Sequence, residues 1–206
     1  VLPGNLPKVK VRKAGALWEV AAAVEEQLGV PLQAGGRHSH FGTHNLLMGM
    51  ADGLYLEVIT IDPTAPPLPH PRWFDLDRFS GPPRVTNWIA RTDDLAQACR
   101  SLPGLGQVVP LERGDLRWKI SVPEDGTLPR DGGFPTAIRW QGAAHPIQRL
   151  TPQPVALERL TIRHPHALEL AETVLPRLQD ARIDFAEAET AGISALFKTP
   201  KGLVSL

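Results

Sequence analysis

The sequence has a single cysteine, Cys99, so no disulfide can form within the chain, which fits a reducing compartment. It has no surplus of either charge. The 22 Lys and Arg balance 22 Asp and Glu, which removes the field that would draw the chain to nucleic acid or to an anionic membrane. No apolar run approaches the roughly 20 residues that a bilayer-spanning helix needs, and the opening VLPGNLPKVKVRKAG has no apolar core of the kind a secretion signal carries. A cytoplasmic protein with neither nucleic-acid nor membrane partners is expected, although a first residue of Val rather than Met leaves the natural start open. Also missing are a phosphate loop ending in Gly-Lys-Ser/Thr, a Gly-x-Ser-x-Gly elbow, a paired-cysteine motif and His-Glu-x-x-His. Their absence excludes NTPase, serine hydrolase and zinc protease readings.

What is present is repetition. Three segments share one order: a short β-like run, a polar turn, an amphipathic helix and further β-like runs. In KVKVRKAGALWEVAAAVEEQLGVPLQ, Leu17, Val20, Ala21, Val24 and Leu28 recur at helical spacing and Gly29 supplies the stop. In RVTNWIARTDDLAQACRSLPGLGQVVPL, Thr92, Asp93 or Asp94 can cap a helix whose stripe is Leu95, Ala98, Cys99 and Leu102, so Cys99 reads as packing rather than as a nucleophile. In LERLTIRHPHALELAETVLPRLQDARIDF, Pro165 suits a first helical position and Leu168, Ala171, Leu175 and Leu178 form the stripe, with His164 and His166 as surface capping positions.

Each helix is followed by a strand pair. HNLLMGM and LYLEVITI meet through Ala51-Asp52-Gly53, a tight-hairpin signal. DLRWKISV and FPTAIRW are separated by PEDGTLPRDGG, a loop long enough to cover a site. ISALFK and LVSL turn around Pro200-Lys201-Gly202. The fold class is therefore α+β, built from βαβββ modules: residues 1–62, a Pro-rich connector at 63–83 pinned by Trp73 and Phe74, residues 84–150, and a third, shorter unit at 151–206, together one compact domain. The third unit either closes the edge of its own chain or mates with a second subunit, which would make a homodimer.

Helices cover one face of such a sheet, and the other curves around a cavity for a small-molecule ligand. In LYLEVITI, alternation sets Leu54, Leu56 and Val58 on one face and Tyr55, Glu57, Ile59 and Ile61 on the other. Both faces are apolar. A carboxylate there is costly to desolvate unless it meets a cation, a metal or a wet cavity, so Glu57 is the leading catalytic candidate; the competing reading is an internal salt bridge or a register that sends it to solvent.

GGRHSHFGTHN, residues 35–45, concentrates imidazoles beside glycines. His38 and His40, two apart, share a face if the segment is extended, and His44 follows a Gly-containing turn. Three readings stand: a metal held by these imidazoles with Glu57, a polar substrate grip using Arg37, His38, His40 and Asn45, or simple loop structure. His44 with Glu57 would make a general acid and base if they share a cavity. In DLRWKISV, alternation puts Leu116, Trp118 and Ile120 on one face and Asp115, Arg117, Lys119 and Ser121 on the other. Trp118 and Trp140 can wall a cavity and Arg117 and Arg139 can charge it; packing and solvation are the competing readings.

The run GGRHSHFGTHNLLMGMADGLYLEVITIDP, with RGDLRWKISVPEDG and His145-Pro146, resembles the glyoxalase-like domain family of the vicinal oxygen chelate superfamily over most of the chain. The resemblance implies paired βαβββ modules curled around a cavity and a divalent metal held by His or Glu from the first and last strands of two modules. It also implies lyase, isomerase, dioxygenase or epoxide-opening chemistry, and it recommends His145 as a substrate contact. Glu57 matches the carboxylate ligand, but Val9 or a neighbouring Lys stands where a His is expected, Val85 and Asn87 replace the second His, and Arg139 or its neighbours replace the second carboxylate. Most metal ligands are thus missing. Two functions remain: a glyoxalase-like enzyme with Glu57 as base or metal ligand, or a binding protein that kept the cavity and lost the metal.

Overall fold

The computed structural model describes residues 5–11, 16–178 and 180–206, with residues 5–11 and 16 given by their backbone. The chain first forms β1 (Asn5–Val11), α1 (Ala16–Leu28), β2 (Gln33–His38), β3 (Thr43–Met50) and β4 (Tyr55–Ile61). After a strap come β5 (Arg84–Arg91), α2 (Leu95–Ser101), β6 (Gln107–Arg113), β7 (Leu116–Val122) and β8 (Thr136–Gln141). The short β9 (Pro152–Gln153) precedes β10 (Ala156–His164), α3 (Ala167–Val174), β11 (Ile183–Glu187), β12 (Gly192–Thr199) and β13 (Gly202–Ser205).

The helices form for local reasons. In α1 the stripe Leu17, Val20, Ala21, Val24 and Leu28 is buried, and Gly29 takes the left-handed φ of +74° that ends the helix. In α2 the Asp94 carboxylate accepts the Gln97 N–H, capping the first turn, and Cys99 is half-buried, which pushes its thiol pKa up. The stripe expected for α3 is out of phase. The helix begins at Ala167 and buries Ala167, Leu170 and Val174, while Leu168 is 68% exposed. His164 is buried at the end of β10 rather than on the surface, and its Nδ1 accepts the His166 N–H.

Among the described residues the strands make two sheets. The larger runs β2-β3-β4-β1-β5-β8-β7-β6, with β9 beside β3; the smaller runs β11-β10-β12-β13. Parallel pairing of β1 with β4 and of β5 with β8, and antiparallel pairing of β1 with β5, join the first two β-α-β-β-β stretches into one sheet. Residues 51–54 link β3 to β4, with Gly53 at φ +78° and the Met50 N–H bonded to the Leu54 carbonyl.

Alternation gives the large sheet two faces. On the outer face α1 lies over β3 and β4, where Leu46, Met48, Leu56 and Val58 are buried, and α2 lies over β7 and β8. The third unit sits on this outer face, with β12 against β5. Trp88 of β5 is fully buried there and donates from Nε1 to the Gly132 carbonyl, and Leu170 of α3 packs where a side chain at Gly133 would stand. The third unit therefore closes onto its own chain. Arg182 and Asp52 tie it to the β3–β4 turn at 2.7 Å. The inner face is left to curve around a hollow.

The strap between β4 and β5 is anchored by buried Trp73 and Phe74, which stack on one another with ring centroids 4.5 Å apart. Phe74 and Asp75 both adopt left-handed φ, and the Asp75 N–H bonds to the Gly126 carbonyl. The long β7–β8 loop thus packs on the strap and on the third unit. It does not line the hollow, contrary to the covering role its length suggested.

Candidate functional site

Alternation on β4 turns Tyr55 and Glu57 to the inner face, and on β3 it turns Asn45 and Leu47 there. Trp118 and Ile120 of β7, with Ile138 and Trp140 of β8, form the opposite wall, and Trp73 closes one end. The enclosed space is about 30 Å³, enough for a small number of waters. Arg113, Leu47 and Pro146 also line a larger outer cleft of about 440 Å³.

Glu57 is 3% exposed. Its Oε1 accepts from Asn45 Nδ2 at 2.7 Å, and Asn45 Oδ1 in turn accepts the Gly36 N–H at 2.7 Å. A backbone N–H can only donate, so the carboxamide has one orientation and presents its NH2 to the carboxylate. Gly35 makes room for this: a Cβ there would stand 2.1 Å from Asn45 Oδ1. Tyr55, two residues before Glu57, is buried and lines the same hollow. Burial, with the Glu57 charge beside it, raises its pKa far above the ordinary phenol value, offset in part by Arg113. It stays protonated and is a hydrogen-bond donor throughout the working pH range.

His38 lies at the rim. Its Nδ1 is 3.1 Å from Thr43 Oγ1, its Nε2 is 3.3 Å from Arg113 Nη1, and its ring edge faces Trp73 at 5.0 Å. A guanidinium has no acceptor, so Nε2 accepts and Nδ1 carries the proton. His145 caps the turn that follows β8 and contacts the rings of Tyr55 and Trp140. Burial, followed by the Arg91 charge, lowers its pKa, so it is neutral near pH 7.

The hollow thus gathers Glu57, Asn45, His38 and Trp118, and His145 touches two of its lining rings without itself lining it. The other expected residues fall elsewhere. His44 pairs with Thr60 across β3–β4, on the outer face, and so is separated from Glu57 by the sheet; the acid and base pair expected from them cannot form. Burial and the Arg37 charge lower the His44 pKa, against the opposing pull of Asp62. Arg37 is exposed and pairs with Asp62 at 3.3 Å on that side. His40 leaves the His38 face because residues 39–41 form a 3-10 turn, which breaks the extended geometry, and it stacks on His70 at 4.6 Å. Arg117 is opposite Trp118 in alternation, exposed and paired with Glu112. Arg139 is likewise exposed.

Sequence reasoning missed Tyr55 and Arg113. The signal for the second was the two-residue turn at Gly114-Asp115, which pairs Arg113 with Leu116 and so puts it on the face of Trp118.

A divalent metal needs three or four donors in defined geometry. Across the inner face Glu57 pairs with Leu47 and with position 8, a Lys, which pairs in turn with Asn87. The buried Nδ2 of Asn87 has no hydrogen-bond partner, and an N–H donor repels a cation rather than binding it. Among the described residues no three His, Cys, Asp or Glu side chains converge on a metal position. The residues present do not fit a metal in this hollow.

A curved mixed sheet of paired β-α-β-β-β stretches around an inner hollow is the vicinal oxygen chelate fold. The model of the glyoxalase-like domain family matches residues 11–178, and the chain belongs to that family. Among solved structures it is similar to a hypothetical protein from Staphylococcus aureus, with 12% identity, a TM-score of 0.58 and coverage of 90% of this chain and 86% of that one. It is also similar to methylmalonyl-CoA epimerase from Mycobacterium tuberculosis, with 16% identity, a TM-score of 0.44 and coverage of 69% and 90%. A variant of the Streptomyces coelicolor methylmalonyl-CoA epimerase in complex with 2-nitronate-propionyl-CoA gives 13% identity, a TM-score of 0.45 and coverage of 70% and 100%. No curated protein matches the sequence. Among the described residues no helix is long and apolar enough to cross a membrane.

Proposed function

We propose that the protein is a small-molecule enzyme of the lyase or isomerase type that moves a proton on an oxygen-rich substrate, with Glu57 as the base. The observation that carries this reading is a nearly fully buried carboxylate held by Asn45 at 2.7 Å beside a protonated tyrosine on the same hollow. Glu57 removes a proton from a carbon next to a carbonyl group; the electron pair of that C–H bond forms a C=C bond as the π pair of the carbonyl moves onto its oxygen. Tyr55 donates a hydrogen bond to the oxygen as it becomes negative. Return of the proton to carbon gives an isomer; loss of a leaving group from the neighbouring carbon gives a lyase product. The apolar walls of Trp118, Trp140 and Ile138 lower the local polarity, which strengthens both interactions.

Small 2-oxo and 2-hydroxy acids incubated with the protein in D2O and followed by proton NMR test this. Exchange of a carbon-bound proton is expected for the native chain, falling by about 10²- to 10⁴-fold in Glu57→Gln and by about 10²-fold or more in Tyr55→Phe. Unchanged exchange in Glu57→Gln ends the reading of Glu57 as base. If no acid exchanges but some raise the melting temperature, the protein is a non-catalytic small-molecule-binding protein.

A further inference from the structure

Arg113 stands between two spaces. It lines both the inner hollow and the outer cleft, as do Leu47 and Pro146, so the two spaces adjoin at the guanidinium. The group is half-buried. The contact made by its N–H donors is to His38 Nε2, at 3.3 Å, and among the described residues no carboxylate lies within ion-pair distance of it. Five donors and a full charge, partly out of water with a neutral imidazole as partner, are costly unless an anion completes them.

The strand opposite is shaped around this group. A Cβ on Gly36 would stand 2.7 Å from Arg113 Nη1 and 2.9 Å from Cζ, and Gly36 has no left-handed backbone, so a side chain there would make the guanidinium shift. The position of Arg113 is fixed from its own side by the tight turn at Gly114, φ +59°. Arg149 lines the outer cleft as well, its charge already matched by Asp115. Among the described residues Arg113 is therefore the cation with capacity to spare where the two spaces adjoin.

We propose that the outer cleft is the subsite for an oxyanion, a carboxylate or phosphate, at the far end of the substrate, and that Arg113 is the specificity-determining residue that grips it. The inner hollow is too small for a whole metabolite, so the substrate must reach outward, and a bidentate pair with Arg113 would fix which of its carbons faces Glu57. The proposal rests on the reading of the hollow as a substrate site.

Calorimetric titration at low ionic strength with succinate and, separately, inorganic phosphate tests it. The native chain is expected to bind at least one of them, which identifies the anion class, and to bind it less tightly as salt is added. Arg113→Met should weaken binding tenfold or more, Arg113→Lys should retain part of it, and Gly36→Ala should lose several-fold while keeping the melting profile of the native chain. Arg100→Met, on the exposed side of α2, should bind as the native chain does. Glu57→Gln should also bind, so loss of proton exchange in that variant alongside intact anion binding separates the two proposals. Native protein that binds neither anion, or Arg113→Met that binds as the native chain does, overturns the subsite.

Discussion

At the scale of single residues, the chain repeatedly offsets the cost of burying charge with short local hydrogen bonds. Asp62, 5% exposed just past β4, is the clearest case. Burial alone would raise its pKa, but the Thr64 hydroxyl at 2.7 Å and the Thr64 N–H at 2.9 Å, helped by the Arg37 charge, hold the carboxyl below the ordinary carboxylate value. A group depressed in the folded state contributes stability that is complete above its unfolded pKa of about 3.9 and is lost as pH falls through the folded value. Thr64→Val should therefore cost about 1–2 kcal/mol near neutrality. The difference from the native chain should shrink between neutral and acid pH, as the carboxyl takes up its proton. Urea unfolding at the two pH values checks this; an equal difference at both would mean that the hydroxyl acts through packing alone.

At the scale of elements, β2 is the strand on which the site depends, and its two glycines are spacers. Gly35 admits the Asn45 carboxamide and Gly36 admits Arg113. Gly35→Ala should push the carboxamide off Glu57, with a Cβ also 2.7 Å from the Asn45 carbonyl, and should lower stability by about 1–3 kcal/mol as overpacking does. Chemical denaturation reads that loss, and proton exchange should fall with it.

The same strand marks the limit of what the sequence made legible. The β4 alternation placed Tyr55 and Glu57 on one face correctly because that strand is regular. The faces of the histidine-rich run were not legible because the β2–β3 pairing shifts register between Ala34 and Gly36, and the 3-10 turn at residues 39–41 ends the extended geometry. Each event changes which side chains share a face, and neither leaves a local signature in GGRHSHFGTHN. The helix α1 was legible because its apolar residues occupy one phase. In α3, Leu168, Leu170 and Leu175 lie on several phases, and contact with the loop at Gly133 selects Leu170.

At the scale of the whole molecule, the third unit explains why the inner face can be spent on a ligand. Trp88, Leu170, Ala195 and Phe197 are all buried, and contact of β12 with β5 puts apolar packing behind the site. The hollow can then carry Glu57, Tyr55 and Arg113 without the fold depending on how well those groups pack. The aromatic residues are divided in the same way. Trp73, Trp118 and Trp140 border the hollow, Trp88 is sealed behind the sheet, and Trp18 is 68% exposed.

That division makes the protein its own optical probe. Any molecule entering the hollow changes the surroundings of three indoles, while the emission of Trp88 and Trp18 stays as a constant background. Occupancy should therefore quench or shift the intrinsic emission in proportion to binding, with much of that change abolished in Trp118→Phe and none in Trp18→Phe. A spectrum that responds equally in both variants would place the ligand outside the indole-lined space.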